Sequence, residues 1–281
     1  SCSLLIILSL VKSRKKMSRR IKAIVEYDGS DFCGWQIQPQ VCTIQGEIEK
    51  ALAKVLTEDV RITAAGRTDA GVHALGQVIS FTTEKAIPTQ GIIRGANSHL
   101  PCSVRIVNAS EVPDSFHPRK DAIFRWYRYS VLNRKTRPVI NRNYLTFIPV
   151  DLDFEIINEA VNMFRGEHDF SGFRSADCES RRTMLNMKYF HVFRRRNLIV
   201  MDLGCRSFLY NMVRIITGGI FEAARGKIGL SVLEEMLASG VRNPFVPTAP
   251  PTGLVLMKVY YPGEEFRPPP EDIFFTSPEV D

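Results

Sequence analysis

The residues with the clearest potential for chemistry lie in one glycine-rich segment, Gly66-Arg67-Thr68-Asp69-Ala70-Gly71. This segment is too polar for a strand interior and separates two apolar stretches, so it is predicted to be a loop at the end of a sheet. Arg67 and Asp69 stand two residues apart and can pair if the segment is extended. By spacing alone, a hairpin turn with a surface ion pair is favoured over a site with a reactive carboxylate.

A second informative residue is Arg214, in the segment 208–224, which is predicted to form a long apolar helix. Apolar side chains cover most of its circumference, and the remaining narrow stripe holds Ser207, Asn211, Arg214 and Gly218. A guanidinium buried on such a helix needs an anion. That anion is a structural Asp or Glu, a substrate phosphate, or an active-site carboxylate that must stay ionised.

Aromatic rings and guanidinium groups alternate in Arg125-Trp126-Tyr127-Arg128-Tyr129, within a predicted strand. The alternation places Arg125, Tyr127 and Tyr129 on one face and the other two residues on the opposite face. Such a surface can stack on unpaired bases while it holds phosphates. Because tyrosine is also a common strand residue, this pattern alone gives RNA binding only modest support.

The elements that must position these residues follow from hydrophobic periodicity. The predicted helices cover 44–56 after an N-cap at Thr43, then 88–99, 154–164, 208–224 and 232–238. The predicted strands cover 20–27, 60–64, 77–81, 104–107, 122–131, 187–193, 198–203 and 254–260. Neither half of the chain shows regular alternation of strand and helix, which favours an α+β fold with antiparallel sheets.

The composition is that of a globular protein with a basic body. The chain has 281 residues, 44% of them hydrophobic, and a net charge of +7, although the last twenty residues are acidic and rich in proline. This length allows one large domain or two medium ones, and the basic field attracts polyanions without specifying which. The acidic segment after residue 262 is predicted to be disordered.

Six cysteines and five histidines are scattered without metal-ligand spacing, so no metal site or disulfide scaffold is predicted and a cytoplasmic location is expected. The apolar run 4–11 is too short to span a bilayer, and its positive charges follow it, unlike those of a signal peptide. No membrane partner is expected. We interpret residues 1–16 as a non-core extension before a natural start at Met17, with a targeting or membrane-surface segment as the less favoured interpretation.

Over roughly residues 18–262 the chain resembles the TruA family of tRNA pseudouridine synthases. Its run Arg67-Thr68-Asp69-Ala70-Gly71-Val72-His73 is highly specific. The other motifs are Tyr27-Asp28-Gly29, Gly34-Trp35-Gln36, Ile44-Gln45-Gly46-Glu47, Phe116-His117, Tyr127-Arg128-Tyr129, His168-Asp169-Phe170, Phe208-Leu209-Tyr210-Asn211-Met212-Val213-Arg214 and Ala249-Pro250-Pro251 with Gly253-Leu254. Their shared order makes chance agreement negligible.

The resemblance implies that Asp69 is the catalytic aspartate, that Arg67 and Arg214 are its basic neighbours, and that Tyr127 packs against the target uracil. It adds further substrate-binding residues: Gly66, Thr68, His73 and Arg128. A carboxylate can add to the sugar or the base, or remove a proton, and two arginines can keep it ionised. The target uridine must leave the helix stack, and an aromatic ring is a natural platform for it.

The resemblance also implies two α/β subdomains, 17–113 with the catalytic loop and 114–262, followed by the tail 263–281. Their antiparallel sheets are expected to join into one continuous sheet with helices on one face and a basic cleft between the halves. A homodimer is expected to act on uridines at positions 38, 39 and 40 of the tRNA, in the anticodon stem-loop. The reaction is an isomerisation, so it needs no small-molecule cofactor or metal.

Two other functions are compatible with parts of the sequence. A non-catalytic RNA-binding protein would explain the basic charge and Tyr127, but it gives Asp69 no role. A carboxylate-dependent nuclease or glycosidase usually needs paired carboxylates or metal ligands, whereas the loop around Asp69 offers one acid among basic neighbours.

Overall fold

The computed structural model describes residues 18–178 and 180–267. The helices are α1 (Ile44–Leu56), α2 (Thr89–His99), α3 (Phe154–Met163), α4 (Met212–Ala224) and α5 (Leu230–Ser239). The strands are β1 (Arg19–Tyr27), β2 (Thr63–Ala64), β3 (His73–Thr83), β4 (Val104–Val112), β5 (Phe124–Asn133), β6 (Thr146–Ile148), β7 (Gly166–Asp169), β8 (Met184–Arg195), β9 (Leu198–Cys205) and β10 (Leu254–Tyr260). Within these ranges no helix is long and apolar enough to cross a membrane.

The ten strands of the described ranges belong to one sheet, in the order β4-β1-β3-β10-β5-β9-β8-β7, with β2 added to β3 and β6 added to β5. Strand β10 joins the halves, because it pairs with β3 on one side and β5 on the other. The predicted α+β fold with one continuous sheet is therefore confirmed. The sheet is mixed, however, since the β3–β10 and β5–β6 pairs are parallel.

The helices form where periodicity and capping agree. Thr43 caps α1 as predicted, with its side chain accepting a hydrogen bond from the Gly46 amide. Ile44, Ile48 and Leu52 of this helix are fully buried in the main core. Asp153 caps α3 in the same way and accepts from two amides of its first turn. A side-chain cap satisfies backbone donors that have no partner within the helix, which fixes where each helix begins.

The sheet separates a large core from a smaller one. The helix-covered face carries the large core, in which Tyr129 of β5 packs against Phe221 of α4 with ring centroids 6.0 Å apart. The opposite face carries a small apolar cluster of Leu132, Leu145, Phe193, Leu198 and Val200. Beside that cluster lies a buried ion pair between Arg128 and Asp202, with an Nε–Oδ1 distance of 2.9 Å.

Several elements differ in extent from the sequence predictions. Helix α4 begins at Met212 rather than at residue 208, because Asn211 adopts a left-handed φ of 60° that a preceding helical turn cannot contain. The predicted strand 60–64 shrinks to Thr63–Ala64. Strands β6 and β7, which have three and four residues, were not predicted because periodicity cannot be read over so few positions.

The first residues of the predicted tail pack against the sheet. The ring of Phe266 lies 4.5 Å from Phe124, 5.0 Å from Tyr189 and 5.6 Å from Tyr260, measured between centroids. The contacts of the core therefore continue past Pro262. Residues 268–281, like residues 1–17, lie outside the described part of the chain.

Removal of the residues after Pro262 should lower thermal stability without changing turnover. Loss of the half-buried Phe266 ring costs about 1–2 kcal/mol, which corresponds to about 2–4 °C in Tm. The measurement compares chains that end at Pro262 and at Arg267 in melting and tRNA turnover. Phe266→Ala in the full chain should reproduce the loss, and a large fall in turnover at Pro262 would show that the segment takes part in the reaction.

Candidate active site

The glycine-rich segment forms a compact loop between β2 and β3. Its turn is closed by a hydrogen bond of 3.1 Å from the Val72 amide to the Asp69 carbonyl. The Thr68 hydroxyl lies 2.8 Å from the hydroxyl of Tyr27, and Gln77 donates to the Gly66 carbonyl at 2.8 Å. Because Tyr27 and Gln77 are buried core residues of β1 and β3, the sheet fixes the start of the loop.

Asp69 and Arg214 form an ion pair between the two halves of the molecule. Arg214 Nη1 lies 3.0 Å from Asp69 Oδ2, and the two side chains are 16% and 18% exposed. Arg214 is held in place by hydrogen bonds of 2.8 Å to Asn211 Oδ1 and to the Ala249 carbonyl. The expected contact of Arg214 with the Asp69 carboxylate is confirmed. The anion required by this arginine is thus on the predicted catalytic loop.

Two opposing effects set the pKa of Asp69. Burial favours the neutral acid and dominates, so the pKa is raised above its ordinary value. The hydrogen bond and the charge of Arg214 act in the opposite direction. A carboxylate with a raised pKa is a stronger base and nucleophile than an ordinary aspartate, provided that a neighbouring cation keeps it ionised.

Arg67 does not form the ion pair with Asp69 that an extended segment would allow. Its side chain is exposed, and within the described ranges no hydrogen bond or ion pair joins it to that carboxylate. The physical reason is that residues 66–72 form an irregular loop with a turn at Ala70–Gly71 rather than a strand, so positions two apart need not face the same side. Arg67 is left free to meet a ligand from outside.

Tyr127 lies in β5 on the helix-covered face, close to the loop. It is 8% exposed, and its ring meets Phe208 edge-on, with centroids 5.0 Å apart. Burial raises its pKa to about 12, helped by the nearby charge of Asp69. The phenol is therefore neutral at physiological pH and presents an uncharged ring beside the carboxylate.

The other predicted site residues occupy different surroundings. Both Thr68 and Gly66 belong to the loop: the Thr68 side chain is buried, and Gly66 lies next to the Arg125 side chain. His73 is buried on the opposite face of the sheet, where Nδ1 accepts from the Gly29 amide at 3.0 Å and Nε2 contacts the Asn143 carbonyl at 2.9 Å. Arg128 lies on that same face in its pair with Asp202. The contacts of these last two side chains are internal ones.

Gly34, Trp35 and Pro251 pack against the loop, although the sequence did not indicate a functional role for these positions. Gly34 has a φ of 89°, and a Cβ there would lie 3.0 Å from the Thr68 carbonyl and 3.1 Å from the Ala70 amide nitrogen. The Trp35 amide donates to the Thr68 carbonyl at 3.0 Å. On the other side, Pro251 packs against Gly71. The only signal in the sequence was that Gly34-Trp35 and Pro250-Pro251 belong to the motifs of the resemblance.

Gly34→Ala should slow the reaction with little effect on tRNA affinity. The added methyl group and the positive φ together press on the backbone around Asp69, so the carboxylate shifts by a few tenths of an ångström. We expect single-turnover rates to fall by about tenfold to a hundredfold and Tm to fall by about 2–4 °C. The measurement is the rate at saturating tRNA.

The matched control is Gly226→Ala. Gly226 also has a positive φ, 70°, but a Cβ there meets nothing within 4 Å. It therefore reports the cost of backbone strain without a clash. Equal rates for the two variants would show that contact with the loop is unimportant.

The described residues include no group of three or more His, Cys, Asp or Glu side chains that could hold a metal ion. The groups that the site offers for chemistry are the desolvated carboxylate of Asp69, the arginine paired with it, one exposed arginine and one neutral phenol. A family model described as tRNA pseudouridine synthase matches residues 23–119 and 160–262, which include both partners of the ion pair. This match places the chain in the class of pseudouridine synthases, which are isomerases.

Curated relatives define the family more narrowly. The chain is 43% identical to tRNA pseudouridine synthase A of Geotalea daltonii, over 86% of this chain and 100% of that protein. It is 42% identical to the Methylococcus capsulatus enzyme of the same name, over 88% and 91%. It is 40% identical to the one of Shewanella frigidimarina, over 86% and 93%. The chain belongs to the tRNA pseudouridine synthase A family, TruA.

Among solved structures, the archaeal box H/ACA sRNP Nop10–Cbf5 complex is similar over 72% of this chain and 42% of that one, with a TM-score of 0.34 at 10% identity.

Proposed function

We propose that this protein converts uridine to pseudouridine in the anticodon stem-loop of tRNA, with the carboxylate of Asp69 as the catalytic group. The observation that carries the proposal is the ion pair between Asp69 and Arg214, at 3.0 Å. It brings a desolvated carboxylate and a fixed cation together at the seam between the two halves. Membership of the tRNA pseudouridine synthase A family gives this site its substrate class.

The reaction rearranges one nucleoside without gain or loss of atoms. The bond from N1 of the base to C1′ of the sugar breaks, and a bond from C5 to C1′ forms. C5 loses a proton and N1 gains one, so no electrons are exchanged with a cofactor. The ionised carboxylate of Asp69 opens this route by adding to the sugar or to the base, and the hydrogen bond from Arg214 keeps it ionised in a site that burial would otherwise neutralise.

The aromatic and basic residues around the carboxylate suit a uridine that has left the helix stack. The ring of Tyr127 is neutral at physiological pH, and burial raises its pKa further to about 12, so it offers an uncharged surface for the uracil. The exposed Arg67 is available to a backbone phosphate beside the target. Gly66 and Thr68 shape the loop that faces the base.

His73 and Arg128 support this site indirectly. Through Gly29 and Asn143, His73 anchors the point where the loop enters β3. Arg128 fixes β5 against β9 through both oxygens of Asp202, at 2.9 Å each. Their part in substrate binding is to hold the strands that carry the loop and Tyr127.

The family resemblance further supports a homodimer with tRNA as its partner and the subdomain boundaries at residues 17, 113 and 262. The five described cysteines are free thiols, in keeping with action in the cytoplasm. Sedimentation of the free protein and of its tRNA complex measures the number of copies. A monomer in both states would remove the dimer from the proposal and leave the chemistry untouched.

The deciding experiment incubates the protein with an unmodified tRNA transcript, without added cofactor and with a chelator present, and maps pseudouridine at each uridine. Product is expected in the anticodon stem-loop. The control transcript carries cytidine at those uridines and should yield none there. A folded, RNA-binding preparation that makes no pseudouridine would favour a binding protein, and strand cleavage that needs a divalent metal would favour a nuclease.

A further inference from the structure

Arg125 is a buried cation that lacks a carboxylate partner. It lies in β5, 7% exposed, and within the described ranges no Asp or Glu oxygen is within ion-pair distance of it. Burial lowers the pKa of its guanidinium, yet an arginine side chain stays charged in proteins. Burying a charge without an opposite charge beside it costs desolvation free energy. Arg125 therefore lowers the stability of the fold unless another role compensates for that cost.

The guanidinium of Arg125 binds three backbone carbonyls from three separate segments. Nη2 donates to Ala65 at 2.7 Å and to Arg119 at 3.1 Å, and Nη1 donates to Arg206. These carbonyls belong to the start of the catalytic loop, to the loop before β5, and to the residue that follows β9. Because one planar group reaches all three, their oxygens lie within roughly 6 Å of one another.

Each of these segments carries an exposed cation next to the bound carbonyl. Arg67 follows Ala65 by two residues, Arg119 and Lys120 lie in the second segment, and Arg206 itself lies in the third. We call these four side chains the cationic rim. The four cations of the rim repel one another, and the Arg125 guanidinium that holds their segments together is also positively charged. Such an arrangement is complementary to a polyanion and costs energy in its absence.

We propose that Arg125 is a positioning residue that gathers the cationic rim around the catalytic loop, so that the rim binds the phosphates that flank the target uridine. The inference rests on the proposed function, since it takes the polyanion to be the tRNA substrate. Arg125 is only 7% exposed and its two terminal nitrogens bind backbone carbonyls, so it is not assigned a phosphate of its own. It acts through the backbone of the residues it holds.

The shape of arginine is what this role requires. A guanidinium carries five N–H donors in a fixed plane and can bind three carbonyls in different directions at once. A lysine at this position keeps the charge but has a single nitrogen on a flexible stem, so it cannot span the three segments. The substitution Arg125→Lys therefore separates the geometry from the charge.

The test measures tRNA affinity against salt concentration, together with the single-turnover rate at saturating tRNA, for wild type, Arg125→Lys and Arg125→Met. Each phosphate contact contributes roughly 0.7–0.9 to the slope of log affinity against log salt. Loss of one or two rim contacts should lower that slope by about 1–2 in Arg125→Lys, although the net charge is unchanged. The single-turnover rate should fall about a hundredfold because the start of the catalytic loop is also released.

The matched control is Arg105→Met. Arg105 also donates to three backbone carbonyls, those of Leu100, Pro101 and Val104, but all three belong to one segment away from the loop. Its loss should reduce Tm and leave both the salt slope and the rate at wild-type values. A purely structural role for Arg125 predicts the same result for Arg125→Lys.

A wild-type salt slope in Arg125→Lys would overturn the proposal, whether or not Tm is lowered. If Arg125→Met fails to fold, the lysine variant still decides, because its charge is retained. The salt slope is measured by binding alone. A protein that makes no pseudouridine but loses slope on Arg125→Lys would therefore refute the proposed function and retain the cationic rim.

Discussion

Asp69→Asn is expected to abolish turnover while the protein still folds and binds tRNA. An amide is neither a nucleophile nor a base, so single-turnover pseudouridine formation should fall by roughly 10⁴-fold or more. Affinity for tRNA should be kept or improved, because a negative charge leaves a site that receives a polyanion. The measurements are a single-turnover assay and a binding titration on the same preparation.

The stability of this variant is expected to change little, so that a loss of turnover cannot be explained by unfolding. The pKa of Asp69 is raised in the folded protein, so its ionised form costs stability at neutral pH, and that cost disappears below its unfolded pKa near 3.8. The neutral amide removes this cost but also weakens the partner of Arg214. We therefore expect the Tm at pH 7 to stay within a few degrees of wild type or to rise.

The matched control for this variant is Asp153→Asn, at the N-cap of α3. Asparagine caps helices about as well as aspartate, so both stability and turnover should be preserved. Pseudouridine formation by Asp69→Asn at a rate near that of wild type would refute the assignment of the catalytic carboxylate.

Arg214→Gln is expected to lower turnover by about a hundredfold and to move the acid side of the pH–rate profile to higher pH. The hydrogen bond and charge of Arg214 are the two effects that lower the pKa of Asp69 against burial. Without them, the carboxylate takes up its proton at a higher pH. When the pH of the wild-type assay is lowered, activity should begin to fall before the pH reaches 3.8, the ordinary pKa of aspartate. The reason is that burial raises the pKa of Asp69, so its carboxylate takes up a proton at a higher pH. The measurement is the single-turnover rate at saturating tRNA from acid to neutral pH.

Two further variants sharpen this result. Arg214→Lys keeps the charge but loses the planar fork that also binds Asn211 and the Ala249 carbonyl, so turnover should fall more than tRNA affinity. Arg225→Gln, at the other end of α4, removes an arginine paired with Glu222 and should leave the pH profile unchanged. An acid limb that does not move in Arg214→Gln would show that Arg214 does not control the ionisation of Asp69.

The need of Arg214 for an anion could be predicted from the residues alone, because an arginine on an apolar helix cannot be left unpaired when buried. The residues left a structural acid, a substrate phosphate and an active-site carboxylate open, and the family resemblance pointed to Asp69. The elements with long periodic patterns, such as α1, β1 and β10, were predictable for a similar reason. In these elements, the spacing of the apolar residues alone predicts which face is buried.

The conformation of the loop could not be predicted, because distant residues determine it. Arg67 was expected to pair with Asp69 in an extended segment, whereas contacts with Gly34 and Pro251 hold a turn. The early end of α4 has the same origin, since Asn211 takes its left-handed conformation while its side chain donates to Ser175 at 2.7 Å. Packing of this kind leaves no periodic signal in the sequence.

The faces of β5 were predicted correctly, but the consequences of burial were not. Alternation separates Tyr127 from Arg128, as expected. It could not tell that Arg128 would meet Asp202, about seventy residues later in the chain, rather than a phosphate. The contacts of Phe266 beyond Pro262 were missed because a single aromatic residue in a polar, proline-rich stretch is a weak signal against disorder.

The position of β10 bears on how a newly made molecule acquires its activity. In the described chain this strand comes after every other regular element, yet it lies in the middle of the sheet between β3 and β5. No strand of one half pairs with a strand of the other half in that range except through β10. During synthesis, the edges of β3 and β5 that β10 will cover therefore stay unpaired until β10 has left the ribosome. A chain that ends before β10 has the residues of the Asp69–Arg214 ion pair but not the strand that joins the two parts of the sheet carrying them, so we expect a truncated product to be inert rather than a source of misplaced modification.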